Sequence, residues 1–439
     1  MQVESFISGD RKFKPFQEYL VYVTEVKVYQ IGVGSFGRYG FEKLVDMHNH
    51  LKEVDIEFTG VCDKDPEHLE AAEKFAEANN VEIESFRDTE EMYSHAENQD
   101  CSVMIYDASS TSTHATHIYE SMQRGFFHIA EKPPSMTREQ HIKEKKLAEE
   151  HGVMWKVDFI ERESSVTQKA VEIIDGKQID NLKAFRESSA GIQKMVEPAK
   201  RTEVKGGDIL DKMINEIYLL DMLEASKGDY STTVEDVHAF FMPKKQSSDS
   251  MMNIYGSKTR EIEDAATART SATLSTGDTN VEINTSWIGV SNDSREIEAE
   301  HNLDLVESSY TGAGDKAFLD EECRFFVVEG EVNLLGDLLH GRLHDLDSGE
   351  EIETPDLLHD QLYRVLKNGV LNAAGERDDK VSEKETEEFI DTLFDIRDQA
   401  VDNSGKFFDE LEEAQRIIRQ KVVDDKKILD AEESSTIAG

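Results

Sequence analysis

Cysteine is nearly absent: the chain of 439 residues has three, Cys62, Cys101 and Cys323, in no paired spacing. That count supports neither a disulfide framework nor a cysteine zinc site, and the three are expected to be apolar fillers. The Met251-Met252 pair and the 14 histidines show no metal spacing either, so no metal is expected. No run approaches the roughly 18 apolar residues of a membrane span. The segment 1–14 mixes Glu4 and Asp10 with Lys and Arg, so it is not expected to be a greasy leader. Basic residues are scarce against acidic ones, 49 to 92, which leaves a formal charge of −43. Phosphate backbones and anionic bilayers repel such a surface, so neither nucleic acid nor membrane is expected as a partner. The expected setting is cytoplasmic.

What is present is enough for a full core. Apolar residues make up 38%, and 26 glycines come on top of that. At roughly 100–200 residues per domain, the length predicts two or three domains. The acidic excess destabilises a compact state in dilute buffer. At about 1 M salt the Debye length falls to about 3 Å and the penalty fades, so a salt-rich cytosol is expected. An acidic mesophilic protein is the alternative, favoured by 31 Lys to 18 Arg.

Residues 26–31 read as a short strand, followed by a glycine cluster and helical spacing at 41–45. A second strand at 56–61 ends at Cys62-Asp63, and 66–79 is predicted helical with Pro66 in its first turn. Strands at 103–106 and 126–130 flank a helix at 115–124, and another helix follows at 138–151. This alternation predicts an α/β, Rossmann-type doubly wound parallel sheet over 26–152. Beyond it, 153–159 reads as a buried strand and 166–174 as a helix. Strands are predicted at 182–186, 234–242, 272–274, 281–290, 294–301, 324–329 and 332–335, with one helix near 208–223. Helical spacing returns at 357–371 and 383–400. An α+β domain with a large, mainly antiparallel open sheet is therefore expected over 153–400. Residues 1–25 are read as an extension and 401–439 as an acidic helical tail.

The first turn reads Gly32-Val33-Gly34-Ser35-Phe36-Gly37, between strand and helix. One glycine permits the sharp turn, a second the close approach of a pyrophosphate, and a third tight helix–strand packing. Phosphates then lie over the helix amino end. Asp63, at the end of the second strand, is placed to hydrogen-bond both ribose hydroxyls of NAD and to repel a ribose phosphate. NAD is expected as cofactor and NADP is the second option, with Lys64 softening the preference. The plainer reading is a ligand-free turn with a solvated Asp63.

After the strand at 126–130 comes Glu131-Lys132-Pro133, at the carboxyl end of the sheet where ligands of open α/β folds bind. Here the chain resembles the glucose-fructose oxidoreductase, inositol dehydrogenase and MocA family, which joins a glycine-rich nucleotide turn to a Glu-Lys-Pro motif. The segment Gly125-Phe126-Phe127-His128-Ile129-Ala130 resembles the family's approach to that motif. His114 stands where the family has a histidine opening the preceding helix, and Arg162 matches an inter-domain arginine. Gly206-Gly207-Asp208-Ile209-Leu210-Asp211-Lys212-Met213-Ile214-Asn215 is similar to a glycine-pair helix ending in Asp-x-Gly-x-His, but Met213 replaces the glycine and Asn215 the histidine.

The resemblance implies an NAD(P)-dependent oxidoreductase acting on a sugar, cyclitol or related polyhydroxylated compound, and a homodimer or homotetramer. It assigns Gly32, Gly34, Ser35, Phe36, Gly37, Asp63, Ser109, His114, Glu131 and Lys132 to the cofactor. Lys132, Arg162, Asp211 and Asn215 go to the substrate. Lys132, with a pKa expected to be lowered near a positive nicotinamide, is the expected acid/base or hydroxyl-polarising group. Asp211 orients it or takes a substrate hydroxyl, and Asn215, four residues on, shares its helix face. Plainer roles stay open: Asp211 as a helix carboxylate, Asn215 as a polar helix residue, Arg162 as a salt-bridge partner, His114 as a helix filler and His128 as structural. Asn215 also raises a competing class, a cofactor-binding sensor or regulator without turnover.

Overall fold

The structure, a computed structural model, describes residues 25–152, 155–189, 207–226, 232–241, 267–287, 289–311, 318–355, 360–375 and 380–402. Gly206, the Met251-Met252 pair, and nearly all of the expected extension and acidic tail lie outside them.

Six strands form the first sheet: β1 (Glu25–Ile31), β2 (Asp55–Cys62), β3 (Glu84–Phe86), β4 (Ser102–Asp107), β5 (Phe127–Ala130) and β6 (Trp155–Val157). All pair in parallel in the order β3-β2-β1-β4-β5-β6. Helices α1 (Ser35–His50), α2 (Pro66–Ala78), α3 (Thr89–Glu97), α4 (Thr111–Arg124) and α5 (Arg138–His151) alternate with them. Val26, Val28, Met104 and Ile105 are fully or almost fully buried, as central parallel strands covered on both faces must be. The strand order reverses between β1 and β4, and the crevice beyond their carboxyl ends is where such sheets take ligands.

The second unit runs α6 (Ser165–Ile174), β7 (Ile179–Ser188), α7 (Gly207–Asp211), α8 (Tyr218–Ala225), β8 (Thr232–Phe241), β9 (Thr267–Thr276), β10 (Thr279–Ser286) and α9 (Asn292–His301). It continues with β11 (Glu307–Thr311), β12 (Phe318–Gly330), β13 (Leu334–Asp337), β14 (Arg342–Asp345), β15 (Glu350–Ile352), α10 (Gln361–Ala373), α11 (Lys380–Gln399) and β16 (Val401–Asp402). The sheet order is β15-β14-β13-β12-β7-β10-β9-β8-β16, with β11 added on β12. It is mainly antiparallel, as expected, but β7 with β10 and β8 with β16 are parallel.

Two sequence readings need correction. Residues 294–301, expected as a strand, are helical: Ser291 caps the helix by accepting the Ser294 N–H at 3.2 Å, and Asn302 ends it with a left-handed φ of 52°. The alternation in Arg295-Glu296-Ile297-Glu298 mimics a strand, but the cap decides. The expected continuous helix at 208–223 is broken, with a 3-10 helical segment at Met213–Ile217 between α7 and α8.

The two sheets share apolar packing. Ile118, Ala130 and Trp155 from the first lie in one buried cluster with Ile209, Met213, Phe326 and Leu393 of the second. Helix α10 returns to the first sheet, where Leu362, Leu366 and Val370 pack with Val28, Met104 and Ile129. Gly369 permits this seating, since a Cβ there would fall 2.1 Å from Ile129 Cδ1. Gly369→Ala should therefore lose about 1–3 kcal/mol to overpacking, offset in part by about 1 kcal/mol of helix propensity. Chemical denaturation checks it, and a more stable variant would show that α10 is not seated there.

Candidate active site

The glycine turn is tight for reasons visible in the backbone. Gly32 has φ +82°, and a Cβ on it would meet the Ala108 carbonyl oxygen at 2.6 Å; one on Gly37 would meet the Gly32 oxygen at 2.2 Å. Buried Gln30, which sequence reasoning missed, clamps the turn by donating from Nε2 to the carbonyls of Gly32 at 2.8 Å and Gly37 at 2.6 Å. Gly34 opens α1 with no side-chain cap and no acidic residue in the first turn. The N–H groups at Ser35 and Phe36 thus meet no carboxylate there, which suits an anion. Ser109 lies against Gly32 and donates its N–H to Asp107 at 3.0 Å.

Asp63 stands beside this turn, 14% exposed. Its carboxylate accepts the Val33 N–H and the Asp65 N–H, each at 2.9 Å, and His68 Nδ1 lies 3.3 Å away. His68 is a second missed residue, its ring 3.2 Å from where a Gly34 Cβ would sit. Phe36 is 46% exposed and lines a cavity of about 610 Å³ with Tyr39, Ile160, Ser165 and Arg364; Lys132, Asp211 and Asn215 are not in its wall.

Lys132 leaves the end of β5 and reaches the second unit, where its ammonium donates to the Asp211 carbonyl at 2.7 Å and to Asp211 Oδ1 at 2.9 Å. The other oxygen, Oδ2, accepts the Trp287 indole N–H at 2.9 Å. Asn215, on the 3-10 segment, donates from Nδ2 to the carbonyls of Asp211 at 2.9 Å and Lys212 at 3.0 Å. The structure thus brings Lys132, Asp211 and Asn215 together. Arg162 instead forks onto Asp221 of α8, through Nε at 2.7 Å and through its second nitrogen, as the salt-bridge reading had it.

His114 requires a correction. It is fully buried, with Nδ1 2.9 Å from the Pro133 carbonyl and Nε2 3.1 Å from the Ser109 carbonyl. It braces the loop that carries Lys132 against the start of α4, with both ring nitrogens on backbone carbonyls, as the helix-filler reading had it. His128 is structural as expected: it is buried on Ser121 Oγ at 2.8 Å, and that burial drives its pKa down to about 3.

Residues 26–159 match the model of the GFO_IDH_MocA oxidoreductase family with an NAD-binding Rossmann fold. The dinucleotide-binding domain belongs to that family. Among curated proteins none matches the chain. Among solved structures, UDP-N-acetylglucosamine 3-dehydrogenase GnnA from Acidithiobacillus ferrooxidans is similar at 16% identity and TM-score 0.58, covering 86% of this chain and 98% of its own. Myo-inositol 2-dehydrogenase from Lactobacillus plantarum is similar at 14% and 0.57, covering 85% and 96%. The WlbA dehydrogenase from Bordetella pertussis, in complex with NADH and UDP-GlcNAcA, is similar at 16% and 0.56, covering 86% and 96%. At these identities the likeness is one of fold, and it extends across both sheets.

Behind Lys132 of the family domain, Glu131 turns inward. Its Oε1 accepts the Tyr106 hydroxyl at 2.8 Å, and it lies beside the buried carboxyl of Asp158, neither oxygen of which meets a hydrogen-bond partner. Burial raises both pKa values, and the Glu131 charge pushes Asp158 well above the carboxylate range. Glu131 is thus bonded to Tyr106 and set beside Asp158, a role the sequence reading did not assign. A raised folded pKa means that the native state keeps a proton the unfolded chain loses near about pH 4. The pair's contribution is therefore present at low pH and lost as pH rises through the folded value. Asp158→Asn removes the titrating carboxyl, so its melting temperature should gain on the wild type between about pH 5 and pH 8. A gap constant with pH would disprove the raised pKa of Asp158.

Proposed function

We propose that the chain is an NAD(P)-dependent oxidoreductase that moves a hydride between a nicotinamide cofactor and a carbinol carbon of a sugar, cyclitol or related polyhydroxylated compound. The observation that carries this reading is the reach of Lys132 from the carboxyl end of the family's NAD-binding sheet to Asp211 of the second unit. The similar solved structures include dehydrogenases named for inositol and for a nucleotide sugar, which supports the substrate class.

The turn fits a dinucleotide: Gly32 and Gly37 allow its backbone to fold tightly where a Cβ would strike Ala108 and Gly32, and the α1 start carries no competing carboxylate. Gly32 to Gly37 would hold the pyrophosphate and Asp63 the adenosine ribose, favouring NAD. A bound nicotinamide supplies the hydride acceptor or donor. The chain supplies position and charge. Lys132 spends two N–H bonds on Asp211 and keeps a third for the substrate oxygen, and an ammonium aimed there stabilises the negative charge that develops as the O–H or C=O bond changes. Paired with a carboxylate, Lys132 acts as the polarising donor, and Asp211, pinned by Trp287, fixes its direction.

Two measurements test this reading. Lys132→Met should lower kcat at least about 100-fold on any polyol that the wild type oxidises, with NADH binding by fluorescence unchanged; retained turnover removes Lys132 from the chemistry. NADH binding with no turnover across polyols, sugar acids and nucleotide sugars would favour the sensor class. Asp63→Ala should weaken NAD about tenfold and NADP much less, and equal losses would discredit the ribose role.

A further inference from the structure

Lys212 is the residue after Asp211, partly exposed, and its ammonium donates to Ser188 Oγ at 2.6 Å. Ser188 ends β7 and Trp287 follows β10, directly after Glu187 and Ser286, the last paired residues of these parallel neighbours. The hydrogen bonds therefore run in one row from Lys132 through Asp211 to Trp287, with Lys212 on Ser188 beside it. On the proposed reading, an alcohol held at Lys132 must give up a proton, and Asn215 is an amide whose N–H groups are spent on carbonyls.

We propose that Lys212 is the proton-handling group of this site, its free amine taking the hydroxyl proton in oxidation and its ammonium returning it in reduction. In oxidation the carbinol C–H bond breaks with its electron pair passing to the oxidised nicotinamide. The O–H proton goes to the Lys212 amine, and the C=O bond forms; ketone reduction is the reverse. This rests on the oxidoreductase reading above.

The surroundings support the role. Lys212 faces Asp211 and Asp208 from its own segment, Arg186 from β7, and Glu322 and Arg324 from β12. Arg186 is held by Glu161 at 2.8 Å and lies 3.6 Å from Glu216, and Arg324 is held by Glu322 at 2.7 Å. Burial and the Arg186 charge lower the Lys212 pKa to about 8, against the pull of Asp211 and Glu322. A lysine at about 10.4 offers almost no free amine near neutrality, whereas this one does.

The test has a readout independent of turnover. The full-length protein is reductively methylated with ¹³C-formaldehyde, and its dimethyl-lysine signals are titrated by NMR. One signal, missing from Lys212→Arg, should have its midpoint near 8. On a polyol that the wild type oxidises, Lys212→Met should lower kcat about 100-fold or more while NADH binding, which also reports folding, stays within about twofold. Lys212→Arg, protonated throughout, should lose the rise of kcat with pH through about 8. A Lys212 signal titrating with the other lysines, or a Lys212→Met enzyme with wild-type kcat and pH profile, overturns the assignment alone. NADH binding with no wild-type turnover overturns the oxidoreductase reading and the role of Lys212 with it.

Discussion

The contact between Lys132 and Asp211 is the constraint on which the site depends, and it works through position rather than strength. Both side chains remain partly exposed, at 26% and 19%, where an ion pair contributes at most about 1 kcal/mol. The two sheets are held together by apolar packing. Ala130 and Trp155 share a buried cluster with Ile209 and Met213, the residues that flank Lys132 and Asp211 in sequence or space. Burying one such large apolar side chain contributes about 1.5–3 kcal/mol, so a few of them outweigh the ion pair. The packing sets the gap across which the lysine must reach, and the ion pair then fixes where its remaining donor points.

Where local chemistry determines structure, the sequence was readable. Glycine spacing, the flanking strand and helix, and Asp63 at a strand end sufficed to place the nucleotide turn, because that turn is built from consecutive residues. The order of the first domain followed from the same alternation of periods. The broken helix at 212 was not readable, since a side chain three residues away competes for its backbone. Asp158 comes to lie beside Glu131 because its N–H bonds the Ala130 carbonyl at 2.8 Å across neighbouring strand ends, and no periodicity encodes that. Asn215 was read as facing the substrate, whereas its amide binds backbone, a difference that only coordinates expose. The return of α10 to the first sheet depends on Gly369 meeting Ile129, a fit between residues far apart in the chain.

The charge balance of the cleft differs from that of the whole. The chain carries a formal −43, yet Lys132, Lys212, Arg186 and Arg324 converge on one end of the second sheet. Several nearby acids do not count fully as anions. Burial pushes Glu216 up to about 7 and Asp208 up to about 6, and burial beside the Glu131 charge holds Asp158 well above the carboxylate range. Near neutrality the site is therefore much less negative than its composition, which matters for an oxygen that must gain negative charge during reaction. Salt screens the exposed carboxylates far more than these buried groups, so the contrast between surface and site sharpens as ionic strength rises.

Asn215 ties these strands together. A neutral imidazole has one N–H to give, and an amide has two. Asn215 uses its amide on the carbonyls of Asp211 and Lys212, while its own backbone N–H bonds Lys212 at 2.9 Å in the i to i+3 pattern. That pattern interrupts the α-helix after Asp211, as local side-chain bonding to backbone tends to do. The Asp211 carbonyl is thereby left as an acceptor, and Lys132 takes it at 2.7 Å. A residue that cannot exchange protons thus builds the acceptor that aims the polarising lysine. The proton must then be handled by a group outside that pair, and Lys212, whose carbonyl the same amide holds, is the titratable side chain next in line.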